Sequence, residues 1–206
     1  MARSRATDNE TLLRAAAEVF ESKGYSNATI DDIAEAAGIS RPTVYKYTSS
    51  KRSLLDDMVN MVCADLDERL HLVVCSDAAP TVRLRRLIDL HVESATKMKQ
   101  FYSIVFSEQA ELSEHAEVRW SEFTHAVATD FQKLLGECIT LRASGAPLID
   151  THIAANLVLT MLTTLYRWYD ADGPVGPAEL TRQILAVLAG VVPASSVDAV
   201  DQDRDG

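Results

Sequence analysis

A chain of 206 residues, 47% hydrophobic and 24% charged, can hold one or two packed domains and has an ordinary globular composition. Its net charge of −10 would repel phosphates if it were evenly spread, which would exclude nucleic acid as a partner. It is not even: residues 1–52 hold 8 of the 20 Lys/Arg and 7 of the 30 Asp/Glu, a net of +1, and the remainder carries a net of −11. Such a split predicts two domains with different partners. The opening MARSRATDNE has no apolar stretch behind its arginines, so it does not read as a secretory signal. The greasiest segment, 153–166, is interrupted by Asn156, Thr160, Thr163 and Thr164 and is too short to span a membrane. Cys63, Cys75 and Cys138 form no C-x-x-C and suit a reducing compartment as small buried hydrophobes. The expected location is the cytoplasm.

The first helix is expected from Thr7, whose spacing to Glu10 is that of a capping box, with Leu12, Leu13, Ala16, Val19 and Phe20 on its apolar face. Lys23-Gly24 closes it with a cation and a residue that tolerates positive φ. Thr29 is a good N-cap for a short second helix, with Asp31 and Asp32 on its positive end. That helix stops at Gly38. Ser40 caps a third helix, in which Pro42 falls in the tolerant first turn. From Lys51 a long helix carries Leu55, Met58, Val62, Leu66, Leu70 and Val73, broken at 76–80. A fifth carries Val82 to Val92, an aromatic stretch runs from Phe101 to Phe106, and a further long helix carries Trp120 to Leu135. After a loop at 143–147, residues 149–169 read as one helix with two apolar stripes: Ile153, Leu157, Met161 and Leu165, and Val158, Leu162, Tyr166 and Tyr169. A helix apolar on two faces is buried on two faces. A last amphipathic helix carries Leu180, Ile184, Val187, Leu188 and Val191, and the polar tail after Pro193 is expected to be disordered. The pattern is all-α.

The most informative segment is IDDIAEAAGISRPTVYKYTS, residues 30–49. Ala34 is small where two helices would cross, and Gly38 four residues later supplies the positive φ of a turn. Ile33, Ala37, Ile39 and Val44 fall on inward positions, leaving Arg41, Thr43, Lys46 and Tyr47 outward. The combination describes a helix-turn-helix, and an ordinary αα-hairpin would need no such outward set.

With Phe20-x-x-x-Gly24-Tyr25, Thr29-x-x-x-Ile33-Ala34-x-x-Ala37-Gly38, Ser40-x-x-Thr43-Val44-Tyr45 and Lys51-x-x-Leu54, the first 55 residues resemble the TetR family of transcriptional regulators. The resemblance implies a three-helix DNA-binding domain over 1–50 and a helical ligand-binding and dimerisation domain over 51–193, followed by the 194–206 tail. It also implies a homodimer on a palindromic operator, acting as a repressor and released by a small molecule. The third helix would enter the major groove. Arg41 and Thr43 would meet base edges and Pro42 a thymine methyl. Tyr45, Tyr47 and Lys51, at positions that touch phosphates in the family, and Lys46 beside them, would grip the backbone. Thr29 would offer its hydroxyl and helix end to a further phosphate, and Arg3 and Arg5 would form an arm over DNA or a solvated tail. Thr48 departs from the family, which usually has a Phe there that wedges the third helix against the fourth; Tyr47 or Leu54 would have to replace it.

For the dimer, the last two patterned helices supply Leu162, Tyr166, Tyr169, Ile184, Val187, Leu188 and Val191. For an effector, Met98, Tyr102, Phe106, Trp120, Phe123, His125, Phe131 and Met161 are candidates, each of which also fits plain core packing; together they suit an apolar or aromatic ligand. The five histidines lack metal-ligand spacing, so no metal or other cofactor is expected. An activator on the same scaffold is the alternative. An enzyme is not expected, since no nucleophile elbow, phosphate loop or metal cluster is present.

Overall fold

The computed structural model describes residues 2–140 and 150–188, with side chains over 9–138 and 150–188. The expectations for Arg3 and Arg5, the Thr7 cap, the 143–147 loop, Val191 and the 194–206 tail lie outside the described residues or side chains. Among the described residues there is no strand. The helices are α1 (Ala2–Lys23), α2 (Ile30–Ala36), α3 (Arg41–Val44), α4 (Lys51–Val74), α5 (Pro80–Lys97), α6 (Lys99–Ser107), α7 (Glu114–Thr140), α8 (Thr151–Thr163), α9 (Leu165–Trp168) and α10 (Pro177–Leu188).

Three boundaries differ from the sequence reading, each for a local reason. Helix α1 begins at Ala2, because nothing in the Ala- and Arg-containing lead breaks a helix; Glu10 pairs with Arg14 at 2.8 Å on its surface. Pro80 is the first residue of α5, where its missing N–H costs nothing. The segment expected as one helix over 149–169 breaks at Thr164 into α8 and α9. Thr160, Thr163 and Thr164 turn their hydroxyls back onto the carbonyls of Asn156, Leu159 and Thr160 at 2.7–2.9 Å, a bond that bends helices.

The chain divides into two compact units: Met1–Ala64 with Met98–Ser121, and Asp65–Lys97 with Glu122–Gly206. In the first, α1 packs on both α2 and α6 and buries Leu12, Leu13, Ala16 and Phe20. Arg14 lies over the Phe101 ring at 5.7 Å, the Arg52 guanidinium donates to the Leu112 carbonyl, and the Ser113 N–H donates to Asp56 at 3.0 Å. These contacts draw α6 and the start of α7 into the N-terminal unit. In the second, α5 is the shared support: α8, α9 and α10 all pack on it, and its Leu84, Leu87, Ile88 and Val92 are buried. Cys63 and Cys138 are buried as expected, whereas Cys75 is exposed beyond the end of α4.

Candidate nucleic-acid interface

The turn between α2 and α3 follows directly from its residues. Gly38 adopts φ +65°, its N–H donates to the Glu35 carbonyl at 3.0 Å, and Ile39 N–H donates to Ala34 at 3.0 Å. These two bonds satisfy the last carbonyls of α2 in a Schellman ending. Ile33, Ala34 and Val44 are buried between the helices, while Ala37 and Ile39 are half-buried at the rim. At the other end of α2, Thr29 and Asp32 cap each other: Asp32 N–H donates to Thr29 Oγ1 at 3.2 Å, and Thr29 N–H and hydroxyl donate to the Asp32 carboxylate. Lys23 adds a third donor at 2.6 Å and, with Thr29, holds the Asp32 carboxyl down at about 2.

Helix α3 is a single turn, continued by tight turns through Tyr47 and Thr48. It leaves Arg41, Pro42, Tyr45 and Lys46 exposed and Thr43 and Tyr47 half-buried. Ser40 stands at the N-cap without a capping bond; its hydroxyl and that of Thr43 lie 2.8 Å apart. Arg41 is engaged on two sides. Its Nη1 donates to Asp31 Oδ2 at 2.8 Å, and its guanidinium lies 5.8 Å from the centroid of the Tyr45 ring, with Nη2 3.5 Å from the Tyr45 hydroxyl. From the sequence, Asp31 is expected to point away from phosphates or to serve only as a helix-end charge. Its one available signal was an acid ten residues before the Arg, which is too unspecific to single out.

Three residues singled out by the sequence have partners within the fold. The Lys51 ammonium donates to the carbonyls of Tyr25, Ser26 (3.2 Å) and Ala28 (3.0 Å) and sits 4.5 Å from the centroid of the Tyr25 ring. All three ammonium donors are used in closing the loop between α1 and α2. The Thr29 hydroxyl donates to the Asp32 carboxylate at 2.7 Å. Thr48, in the place of the family's Phe, is buried and donates to the Ser50 carbonyl at 2.9 Å, with Leu54 fully buried close by in sequence.

In the second unit, Leu162, Tyr169, Ile184 and Leu188 are buried in the protomer's own core, and Tyr166 is half-buried. The large apolar residues exposed there are Leu72, Ile153, Leu157, Trp168 and Val187, so among the described residues expected at a dimer contact Val187 is the one that is exposed. Periodicity revealed two apolar faces on α8, and packing on α5 took the one carrying Val158 and Leu162. The effector candidates are divided between the two units. In the first unit Tyr102 stacks on Phe106 (6.2 Å) and Phe106 meets Trp120 edge-on (5.5 Å), with Met98 buried. In the second, Phe131 meets His91 edge-on at 5.2 Å, Phe123 is buried, Met161 is half-buried, and His125 is exposed on α7 and lines no core. Burial pushes His91 down to about 4, while its Nδ1 lies 2.8 Å from the Leu87 carbonyl. Among the described residues no helix is long and apolar enough to cross a membrane.

Known proteins share this arrangement. The sequence model described as "Bacterial regulatory proteins, tetR family" matches residues 12–58, and that of the "Tetracyclin repressor-like, C-terminal domain" matches 77–192. The HTH-type transcriptional repressor KstR2 of Mycolicibacterium smegmatis is 22% identical over 94% of both chains. The HTH-type transcriptional activator FasR of the same organism is 26% identical over 80% of this chain and 73% of its own. The structure of the ketosteroid transcriptional regulator KstR2 of Mycobacterium tuberculosis superposes with a TM-score of 0.79 at 24% identity, covering 89% of this chain and 94% of that one. The structure of AibR in complex with isovaleryl coenzyme A and operator DNA gives a TM-score of 0.72 at 18% identity, covering 87% and 97%. With its helix-turn-helix and its C-terminal helices both matched, the chain belongs to the tetR family of bacterial transcriptional regulators.

Proposed function

We propose that this regulator binds a palindromic operator as a homodimer, acts as a repressor, and is released by a small apolar or aromatic effector. The observation that carries the DNA contact is the exposed set Arg41, Pro42, Tyr45 and Lys46 on and after a one-turn helix held by Gly38, Ala34 and Val44. An α-helix fits the major groove, Arg matches a guanine edge, and Lys matches a phosphate. Thr43 and Tyr47, half-buried at the edge of this set, complete it as contacts of shorter reach. Dimerisation is supported by Ile153 and Leu157, one turn apart on α8, together with Trp168 and Val187, all more than half exposed; large apolar side chains in that position mark an association surface. Repression is favoured by the two KstR2 proteins, and FasR keeps the activator reading open on the same scaffold. An effector acts by preferring the state that does not bind DNA.

The test uses duplexes selected by the wild-type protein from a randomised pool. Arg41→Ala is expected to lose about 1–3 kcal/mol of discrimination at one base-pair position per half-site. Lys46→Ala is expected to weaken all duplexes alike and to reduce the slope of log K against log salt by about one. Salt-independent binding, or no selected duplex at all, would sink the DNA assignment.

A further inference from the structure

We infer that Asp31 is a positioning residue that fixes Arg41 for reading a guanine and keeps it from drifting to a phosphate. This rests on the proposed role of Arg41 as the base reader. The two carboxylates of the first turn of α2 have separate partners. Asp32 completes the cap with Thr29 and pairs with Lys23, so Asp31 is not needed to end the helix. Asp31 instead reaches Arg41 of the next helix at 2.8 Å. Their side chains are 62% and 55% exposed, and exposed pairs of this kind contribute little to folding. A carboxylate on the surface that carries Arg41 and Lys46 also repels phosphates. An acid with little stabilising value and an electrostatic penalty needs another use.

The geometry supplies one. Arg is long and rotamer-rich, and pinning it before binding lowers the entropy lost on contact. Here Nη1 donates to Asp31 and Nη2 lies 3.5 Å from the Tyr45 hydroxyl, which engages two of the five N–H donors of a guanidinium and leaves three for a base edge. A guanine needs that planar fork in one orientation, whereas a phosphate accepts an Arg from many directions. Tying Nη1 to a carboxylate therefore favours the partner that demands alignment.

The decisive experiment measures wild type, Asp31→Asn, Asp31→Ala, Arg41→Ala and the Asp31→Asn/Arg41→Ala double variant on a duplex selected from a randomised pool and on its single-base-pair substitutions. Asp31→Asn is expected to relax discrimination about five- to tenfold at the position that Arg41→Ala relaxes, to tighten binding to unrelated duplex, and to add nothing in the double variant. Its melting temperature should match wild type. Uniform tightening with unchanged discrimination would reduce Asp31 to a simple repulsive charge and overturn the inference. So would relaxation at a different base pair, or a melting temperature lowered by several degrees. If Arg41→Ala leaves discrimination intact everywhere, the base-reader assignment fails, and the positioning role fails with it.

Discussion

The helix-turn-helix exposes Arg41, Pro42, Tyr45 and Lys46, and the helices of the second unit expose Ile153, Leu157, Trp168 and Val187. Both sets are exposed in the protomer. The first is cationic and aromatic, a chemistry that suits a polyanion with readable edges. The second is apolar beside polar neighbours such as Asn156 and Gln183, the chemistry of another protein surface. They also differ in what holds them. Backbone caps and one positive-φ glycine set the turn between α2 and α3, whereas packing, largely on α5, decides which face of α8 and α10 stays outside.

The largest expected effect separates exposed from buried apolar residues. Leu157→Asp should keep its melting temperature, sediment as a monomer and bind the selected duplex at least about a hundredfold more weakly, since two tethered heads gain that much over one. Leu188→Asp should instead unfold the second unit, because it buries an unpaired charge. A dimeric Leu157→Asp protein would remove α8 from the interface. Next comes Lys51→Met, expected to lower stability by about 2 kcal/mol in urea melts while leaving the salt slope of DNA binding intact. A flattened slope would return Lys51 to the phosphate contacts. Gly38→Ala should cost about 1–2 kcal/mol from backbone strain alone, because a Cβ there meets nothing within 4 Å. A neutral outcome would show that the turn between α2 and α3 is not held by its backbone.

The smallest effect is a difference in pH response. Asp32 has a lowered carboxyl, so its contribution is full above the ordinary carboxylate range and lost only as pH falls through about 2. His91 is buried neutral, with its value lowered to about 4, so an unfolded chain takes up its proton first as pH drops below about 6.5. Stability should therefore fall between pH 6.5 and 4 with a slope of no more than ~1.4 kcal/mol per pH unit from this group. His91→Phe should remove that component. An unchanged slope in chemical melts at pH 7, 6 and 5 would show that the imidazole is not the acid-sensitive group.

What could be read from sequence alone follows from range. Gly38, Ala34, Val44 and the Thr29 cap act on neighbours within a few residues, so their spacing carried the helix-turn-helix before any coordinates. The all-α pattern and the core positions of α4, α5 and α7 came from periodicity for the same reason. Contacts across longer separations were settled only by the tertiary structure. Lys51 meets carbonyls 23 to 26 residues away, and Arg52 meets Leu112 across 60. The apolar stripes of α8 were indistinguishable until α5 covered one of them. A residue pattern states which faces are greasy; only the packed chain decides which of them its own core consumes.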